Sequence, residues 1–380
     1  MDRRNFLSAA ALLAAFPVRF AHAATQRRFV FILQRGAADG LNTVVPDADP
    51  AYASARGALA LDPGTLLRLD ERFALHPSLP ILHGLYSAGQ ATFFHAVASP
   101  YRERSHFDAQ KILESGGRSP DQLKDGWLNR LLGLLPDAHP KALALSPSVP
   151  LALRGPAEVS SYAPSSRQPT DDDLMLRVGQ LYEQDPQLST LWSAALDAQR
   201  MAGDRGSRSG RAGDAAELGR TTAGFLANPK GPRIAMIETN GWDTHSGQAA
   251  RLARQLGALD QLMGGLQVGL GPVWSDTVVL VATEFGRTVA ANGTGGTDHG
   301  TGAAAMLVGG AVRGGRVIAD WPGLRPQDLH EGRDLKPTLG LNDLIGSVCS
   351  ETFQLDSERA ARVLFPESSL KRLAAGPLIR

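Results

Sequence analysis

Short apolar runs typical of buried strands recur along this chain, and most of them end close to a cluster of acids and histidines. The clearest run is residues 277–282, which leads directly into Glu284. In open α/β sheets the carboxyl ends of the strands line the ligand crevice, so clusters far apart in sequence are expected to meet at one edge. Five such clusters occur, at residues 35–40, 105–108, 241–245, 283–287 and 297–300.

The apolar runs and the segments between them predict one large α/β domain over residues 24–380. Continuous β-forming runs predict buried strands, and apolar residues at helical spacing predict helices. The predicted strands are 28–33, 91–97, 142–145, 233–237, 277–282 and 303–308, and the predicted helices are 77–88, 126–135 and 249–266. With 43% hydrophobic residues, a chain of this length can bury a large core.

Residues 155–230 differ from the rest of the chain and predict a helical insertion over one edge of the sheet. Residues 203–213 are polar and of low complexity, which is typical of a surface loop. Helical segments are expected at 174–182 and 188–201 on either side of a turn. The single cysteine, Cys349, lies in an apolar context and predicts a buried thiol, since no internal disulfide is possible.

The first 23 residues predict a twin-arginine export signal. Arg3 and Arg4 precede the apolar segment 9–16, which is too short to span a bilayer, and a small-x-small site predicts cleavage after Ala23. We therefore expect a partnership with the twin-arginine export machinery, a periplasmic or secreted location and no stable membrane span. Removing this segment takes three arginines and one aspartate from 39 basic and 38 acidic residues, which leaves a net charge of −1. That balance does not favour nucleic acid as a partner.

Two of the clusters have a simple structural explanation beside the functional one. Asp39 and Gly40 form a common turn dipeptide. Ser105 and Asp108 have the spacing of a helix capping box, in which the serine binds backbone N–H groups. At both places the alternative is a role in binding a metal or a substrate.

The remaining clusters favour metal binding. Burying Asp243 and His245 in one turn without a partner would be costly. Glu284 follows an apolar strand, so its burial requires either Arg287 as an ion-pair partner or a cation, and we favour the cation.

The glycine-rich segment 295–302 holds Asp298 and His299, an unlikely pair for a loop that is merely flexible. By contrast, His95 lies inside a predicted strand and is expected to be a hydrogen-bonded core histidine.

The ordered motifs closely resemble those of exported bacterial proteins of the domain-of-unknown-function family 1501. The resemblance covers nearly the whole mature chain and rests on residues 35–42, 104–110, 125–127, 241–245, 283–287 and 296–300. That family is similar to the alkaline phosphatase and sulfatase superfamily. The resemblance implies a three-layer α/β sandwich with a mostly parallel central sheet.

The superfamily pattern also implies where metals bind. Asp243, His245 and His299 match the residues that hold one metal, and Asp39 matches an acid that holds another. Glu284 matches the acid at the end of a later strand. Many superfamily members have Asp-His at that point where this chain has Glu284 and Phe285, so the second site needs another ligand. The candidates to complete it are His106, Asp108 and Asp298.

The function implied by the resemblance is metal-assisted hydrolysis of a phosphate or sulfate ester. Ser105, at a predicted helix start, is the candidate nucleophile, and Arg104 and Arg287 are available to neutralise the non-bridging oxygens. One or two divalent ions are expected. Mixed nitrogen and oxygen ligands favour zinc or manganese, whereas an oxygen-dominated site favours calcium or magnesium. The expected substrate is a small anionic ester.

Two other functions are compatible with the sequence. The chain could bind a metal and an anionic glycan or lipid without turning it over. It could also be an envelope factor that supports maturation of another exported protein, with clusters that serve structure only.

Overall fold

The computed structural model describes residues 26–136, 142–163, 182, 185–193, 215–368, 370, 371, 373 and 375–380. The predicted signal segment 1–23 and the predicted loop 203–213 lie outside these residues, as does the predicted helix 174–182 apart from its last residue. Of the predicted helix 188–201, residues 188–193 are described and are helical.

The strands of the described residues form a large sheet and a small one. In chain order they are β1 (Arg28–Gln34), β2 (Val44–Val45), β3 (Leu67–Arg68), β4 (Ala74–Leu75), β5 (Ala91–Ala98), β6 (Ala142–Leu145), β7 (Val159–Ser161), β8 (Ile234–Thr239), β9 (Thr277–Thr283), β10 (Ala303–Val308), β11 (Arg316–Ile318) and β12 (Leu339–Gly340). All six strands expected from the apolar runs are present.

The large sheet runs in the order β11-β5-β10-β9-β1-β8-β6-β7, with β12 also paired to β5, and the small sheet runs β2-β4-β3. In the large sheet β10 is antiparallel to both neighbours, and every other pairing is parallel. The α/β fold class with a mostly parallel central sheet is therefore confirmed.

Besides the helical residues 186–193, the described part of the chain forms α-helices of defined bounds. They are α1 (Gly40–Thr43), α2 (Tyr52–Arg56), α3 (Pro80–Ser87), α4 (His106–Ser115), α5 (Trp127–Leu132), α6 (Ala215–Ala227), α7 (Gln248–Leu270), α8 (Leu341–Phe353) and α9 (Ser357–Leu364). Helix α3 begins three residues later than expected because Pro80 occupies its first turn, where a missing N–H costs nothing. Within these residues no helix has the length and apolar character needed to cross a membrane.

Alternate side chains of β1 enter two different cores, which makes the fold three-layered. Val30 and Ile32 belong to one core with side chains of α3, α6 and α7, whereas Phe29 and Phe31 belong to the other with side chains of α5, α8 and α9. All four are completely buried, and each contributes roughly 1.5–3 kcal/mol to folding. The continuous apolar sequence of β1 thus reflects helices on both faces of the sheet.

Helix α6 packs directly against α7, and glycines permit the close approach. A Cβ atom at Gly265 of α7 would lie 2.1 Å from the carbonyl oxygen of Ala216, and one at Gly219 of α6 would lie 2.3 Å from the carbonyl oxygen of Leu262. Residues 215–227, although inside the segment set apart by composition, thereby form part of a core layer.

The register of three central strands brings their following loops to one place. Gln34, the last residue of β1, lies level with Thr239 of β8 and Thr283 of β9. β10 runs in the opposite direction, so the residues before Ala303 lie at the same edge. The polar clusters after β1, β8 and β9 and before β10 therefore share the carboxyl edge of the sheet.

Candidate metal centre

Two loops approach closely at this edge and fix the position of Asp243. Trp242 is buried and its indole N–H donates to Thr239 Oγ1 at 3.0 Å, which anchors the turn after β8. Gly36, after β1, has φ +115°, and a Cβ atom there would lie 2.6 Å from the backbone nitrogen of Asp243. Only glycine satisfies both conditions, so the two loops can touch.

Four ligand-type atoms converge at the meeting point: Asp243 Oδ1 and the Nε2 atoms of His106, His245 and His299. The Nε2 atoms of His106 and His245 each lie 2.9 Å from that of His299. Asp243 Oδ1 lies 3.0 Å from His245 Nε2, 3.4 Å from His299 Nε2 and 3.5 Å from His106 Nε2. Tetrahedral ligands bonded at about 2.0 Å would be about 3.3 Å apart, close to these five separations. The ligand atoms of His106, Asp243 and His299 all lie within 4.8 Å of one another, so these three residues form a group that could hold a metal ion, with His245 beside it.

Each of the three imidazoles has an acceptor on its outer nitrogen. His299 Nδ1 lies 2.9 Å from the carbonyl oxygen of Arg104, His106 Nδ1 lies 2.8 Å from Glu284 Oε1, and His245 Nδ1 lies 3.3 Å from Asp298 Oδ1. A carbonyl oxygen only accepts, so the proton of neutral His299 is on Nδ1. The same arrangement at the other two rings directs the Nε2 lone pairs inward, as in metal sites whose ligands are oriented by outer acceptors.

The surroundings of Asp243 favour the ionised form of its carboxyl group. Burial alone would raise the pKa of this carboxyl, but the hydrogen bond and charge of Arg287, aided by His245 and His106, hold the pKa below its usual value. Arg287 is itself buried and donates to Asp243 Oδ1 at 2.6 Å and to Thr297 Oγ1 at 3.0 Å. Arg287 thus holds a candidate ligand in place, and its guanidinium is engaged with protein acceptors.

The surroundings shift the pKa values of His106 and His299 in opposite directions. Burial acts to lower the pKa of His106, but the hydrogen bond and charge of Glu284 and the charge of Asp243 outweigh it, and the pKa is raised. Burial lowers the pKa of His299, and the neighbouring His106 lowers it further. Two facing imidazoles cannot both be charged without repulsion, which favours a shared cation.

Glu284 is fully buried and is satisfied by hydrogen bonds. Its Oε1 accepts from Gly36 N at 2.8 Å, from Gln110 Nε2 at 2.9 Å and from His106. Burial would raise the pKa of Glu284, but the bonds from His106 and Gln110 and from backbone N–H groups lower it. Arg287, the ion-pair partner considered from the sequence, pairs with Asp243 instead, and Glu284 accepts from His106 Nδ1.

Asp39 lies apart from the four converging atoms and is engaged with protein donors. Its Oδ1 accepts from the backbone nitrogens of Leu41 and Asn42 at the start of α1, and its Oδ2 accepts from Arg56 and Gln248. The side chains of Asp39 and Arg56 are 1% and 0% exposed, so the pair is a buried ion pair. Arg56 thus supplies a positive charge to the carboxylate that the superfamily resemblance implied as a ligand of a second metal.

Ser105 and its neighbours start helix α4. Ser105 Oγ accepts from the backbone nitrogen of Asp108 at 3.5 Å, the capping arrangement that its spacing suggested, and Asp108 lies 3.4 Å from the hydroxyl of Tyr101. The guanidinium of Arg104 pairs with Asp334 at 2.9 Å and with Glu331. Ser105 therefore directly precedes the ligand candidate His106. The guanidinium of Arg104, by contrast, is paired with carboxylates.

Phe285 packs against two imidazoles of the cluster. Its ring stacks on His106 with 4.8 Å between ring centroids, and lies 5.3 Å from the ring of His299. His106, one of the candidates to complete a metal site, belongs to the same cluster.

Three residues of the site were not expected from the sequence: Gln110, Gln248 and Arg56. Gln110 lies one helical turn after His106, so the i, i+4 spacing on α4 was a usable signal. Gln248 and Arg56 contact Asp39 across separations of 209 and 17 residues, and no local pattern marks them.

A family described as "Protein of unknown function (DUF1501)" matches residues 26–364. The chain belongs to this family. The family predicted from the six ordered motifs is thereby confirmed. No curated protein matches the chain.

Solved structures that are similar to this chain at low sequence identity include three bacterial or enzyme structures. An alkaline phosphatase superfamily protein from Vibrio parahaemolyticus is 10% identical, with 93% of this chain and 76% of that one covered and a TM-score of 0.38. A 2-O GAG sulfatase is 12% identical, with 91% and 76% covered and a TM-score of 0.40. The C-terminal periplasmic domain of EptC from Escherichia coli, solved with Zn, is 10% identical, with 94% of each chain covered and a TM-score of 0.41. These likenesses concern the fold alone.

Proposed function

We propose that this DUF1501 protein is an exported, metal-dependent hydrolase of phosphate or sulfate esters with one zinc ion per chain. The observation that supports the proposal is the convergence of ligand-type atoms on His299 Nε2 and Asp243 Oδ1, each of which lies 2.9–3.5 Å from the Nε2 atoms of His106 and His245. Of these residues, His106, Asp243 and His299 have ligand atoms that all lie within 4.8 Å of one another. Imidazole-rich tetrahedral sites suit zinc better than calcium or magnesium. Export by the twin-arginine machinery to the periplasm or beyond belongs to the same proposal and rests on residues 1–23.

The chain's own groups would divide the work as follows. His106, His245, His299 and Asp243 hold the ion, and Glu284, Asp298 and the Arg104 carbonyl keep the Nδ1 protons on the outer side. When bound, a divalent ion polarises an ester oxygen and lowers the pKa of water. Asp39 is assigned a structural role, because all the donors it needs come from the protein.

Ser105 is the proposed nucleophile because it directly precedes His106 and its hydroxyl proton is not used in the bond from Asp108 N. Its oxygen would attack the phosphorus or sulfur atom, and the ester alcohol would leave with the proton lost by the serine. Water would then hydrolyse the serine ester, which releases phosphate or sulfate and restores the hydroxyl. Water would be the nucleophile if Ser105 served only as the helix cap. Ser105→Ala separates the two routes, since only the serine route loses turnover at unchanged zinc content.

Elemental analysis and ester hydrolysis test the proposal together. We expect one equivalent of zinc per chain and hydrolysis of an aryl phosphate or an aryl sulfate that chelation removes and zinc restores. His245→Ala should lower turnover by about 100-fold or more, because a ligand is lost. His83→Ala, which removes an exposed histidine bonded to the carbonyl of Arg68, is the control. This variant should retain both the zinc content and the turnover of the wild type. Turnover that persists in metal-free protein would refute the proposal.

One observation favours a second candidate, a metal- and anion-binding protein without turnover. Both arginines expected to neutralise a reacting ester, Arg104 and Arg287, are paired with carboxylates. A binder would take up zinc and retain an aryl phosphonate, yet release no product from any ester in the panel. Product release that depends on zinc decides for the hydrolase.

A further inference from the structure

A groove of about 350 Å³ lies beside the candidate metal centre. Four residues on one face of α4 line it, Phe107, Gln110, Lys111 and Glu114, and the opposite wall includes Lys124 and Arg154. Gln110 connects the groove to the centre, because its Nε2 donates to Glu284 Oε1 and Glu284 in turn accepts from His106 Nδ1. The groove therefore adjoins the candidate ligand His106, whose neighbour in sequence, Phe107, lines it.

The rim of the groove carries an aromatic side chain with almost no protein contact. Phe107 is 83% exposed, whereas the other large hydrophobic side chains exposed in the described part of the chain are aliphatic. Its neighbour His106 points into the centre, which leaves the phenyl ring facing water at the entrance. An exposed ring beside a polar cleft offers a flat surface on which a ligand ring can stack.

The charges on the groove are unevenly balanced. Arg35 bonds Glu114 at 2.7 Å and also contacts Glu238, and Lys111 bonds Asp121 at 2.9 Å. Lys124 and Arg154 are both exposed, and neither forms an ion pair within 4.0 Å in the residues the structure describes. The charge of Lys124 still helps to lower the pKa of Asp121, and Arg154 Nε donates to the carbonyl oxygen of Val149 at 3.0 Å. Both side chains keep further N–H groups that can bind an anion in the groove.

We infer that this groove binds the alcohol portion of the ester, and that this portion is a ring carrying a second anionic group. The inference rests on the proposed function, since the hydrolysed ester lies at the adjoining centre. Phe107 stacks on the ring, and Lys124 and Arg154 bind the second negative group. A ring could be aromatic or a sugar, and both present a flat face with an anionic substituent.

Equilibrium binding tests the groove without requiring turnover. Calorimetry would compare benzene-1,4-disulfonate with benzenesulfonate, and a sugar disulfate with the corresponding monosulfate. The second anionic group should strengthen binding several-fold at low salt, and the gain should shrink as salt is added because exposed charges are screened. Preference for the aromatic or the sugar pair identifies the type of ring.

Matched variants assign the contacts. Phe107→Ala should weaken binding of the disulfonate about tenfold through lost stacking, and Lys124→Ala combined with Arg154→Ala should abolish the gain from the second anionic group. Val268→Ala and Lys230→Ala remove another exposed apolar side chain and another exposed lysine, and both should bind as the wild type does.

His245→Ala separates the two proposals, because it should abolish hydrolysis yet retain the Phe107 and Lys124 effects on binding. Equal affinity for ligands with one and two anionic groups, or unchanged affinity in the groove variants, overturns the inference whatever the enzyme assays show.

Discussion

His106 Nδ1 lies 2.8 Å from Oε1 of Glu284, a carboxylate with no exposed surface. The bond holds the ring so that its Nε2 joins the three other ligand atoms. Outer acceptors of this kind make a histidine a better ligand by fixing its tautomer and raising its basicity. Under the proposed function, Glu284, which directly follows β9, acts through His106.

The first prediction concerns this bond. Glu284→Gln removes the negative charge behind His106, and we expect zinc affinity to fall about 10- to 100-fold because the ring is less basic and less firmly oriented. Competition with a chromogenic chelator measures the affinity. Glu331→Gln, at an exposed acid paired with Arg104, is the control. Equal affinities in the two variants would show that Glu284 has no influence on the ion.

The second prediction concerns the buried pair of Asp39 and Arg56. Arg56→Met leaves the Asp39 carboxylate buried without its cation, which should destabilise the fold by about 3–5 kcal/mol. Asp39→Asn combined with Arg56→Met should recover part of that loss, because the unpaired charge is gone. Urea unfolding measures both.

Zinc binding shows which role Asp39 has. If the aspartate is structural, the folded double variant binds one equivalent of zinc with wild-type affinity. A decrease in stoichiometry would instead assign Asp39 to the ion.

The strands could be predicted because each is buried on both faces, so its sequence is apolar without interruption. The runs 142–145 and 303–308 coincide with β6 and β10. Because the ends of the strands could be predicted, the edge reached by the loops after β1, β8 and β9 could be predicted as well. The partners of the polar side chains could not be predicted in the same way. Gln248 reaches Asp39 across 209 residues, and Arg287 turns to Asp243 although Glu284 is nearer in sequence.

The same distinction applies to the histidines. His299 and His245 lie in loops at the predicted edge, so their meeting followed from the topology. Whether His106 joins the cluster depends on where α4 begins. The capping residue before it, Ser105, does not indicate the direction in which the next side chain points.

The third prediction concerns pH and His95, a core histidine on β5. Its Nε2 donates to the carbonyl oxygen of Val44 and its Nδ1 accepts from Ala96 N, a pattern that only the neutral ring can make. Burial lowers the pKa of His95 from 6.5 to about 4. The unfolded chain therefore takes up a proton first as the pH falls. Stability should be complete above pH 6.5 and decline by about 3 kcal/mol on acidification to pH 4.

His95→Gln measures this contribution. The variant should be less stable at neutral pH, yet its unfolding free energy should change less between pH 6.5 and 4 than that of the wild type. His83→Gln, at an exposed histidine, should follow the wild-type slope. Parallel curves for His95→Gln and wild type would mean that the ring is charged in the folded state.

The fourth prediction concerns the cost of leaving the centre without an ion. The Nε2 atoms of His106 and His245, whose protons lie on the far side of each ring, both face His299 Nε2 at 2.9 Å, and the lone pairs repel beside a single carboxylate. A cation that binds the folded chain alone stabilises it by about 4 kcal/mol when its free concentration is 1,000 times the dissociation constant. Zinc should therefore raise the unfolding midpoint of the stripped protein, and calcium should raise it far less. In His245→Ala the response to zinc should largely disappear, while His83→Ala should keep it; a zinc shift of equal size in both variants would locate the ion elsewhere.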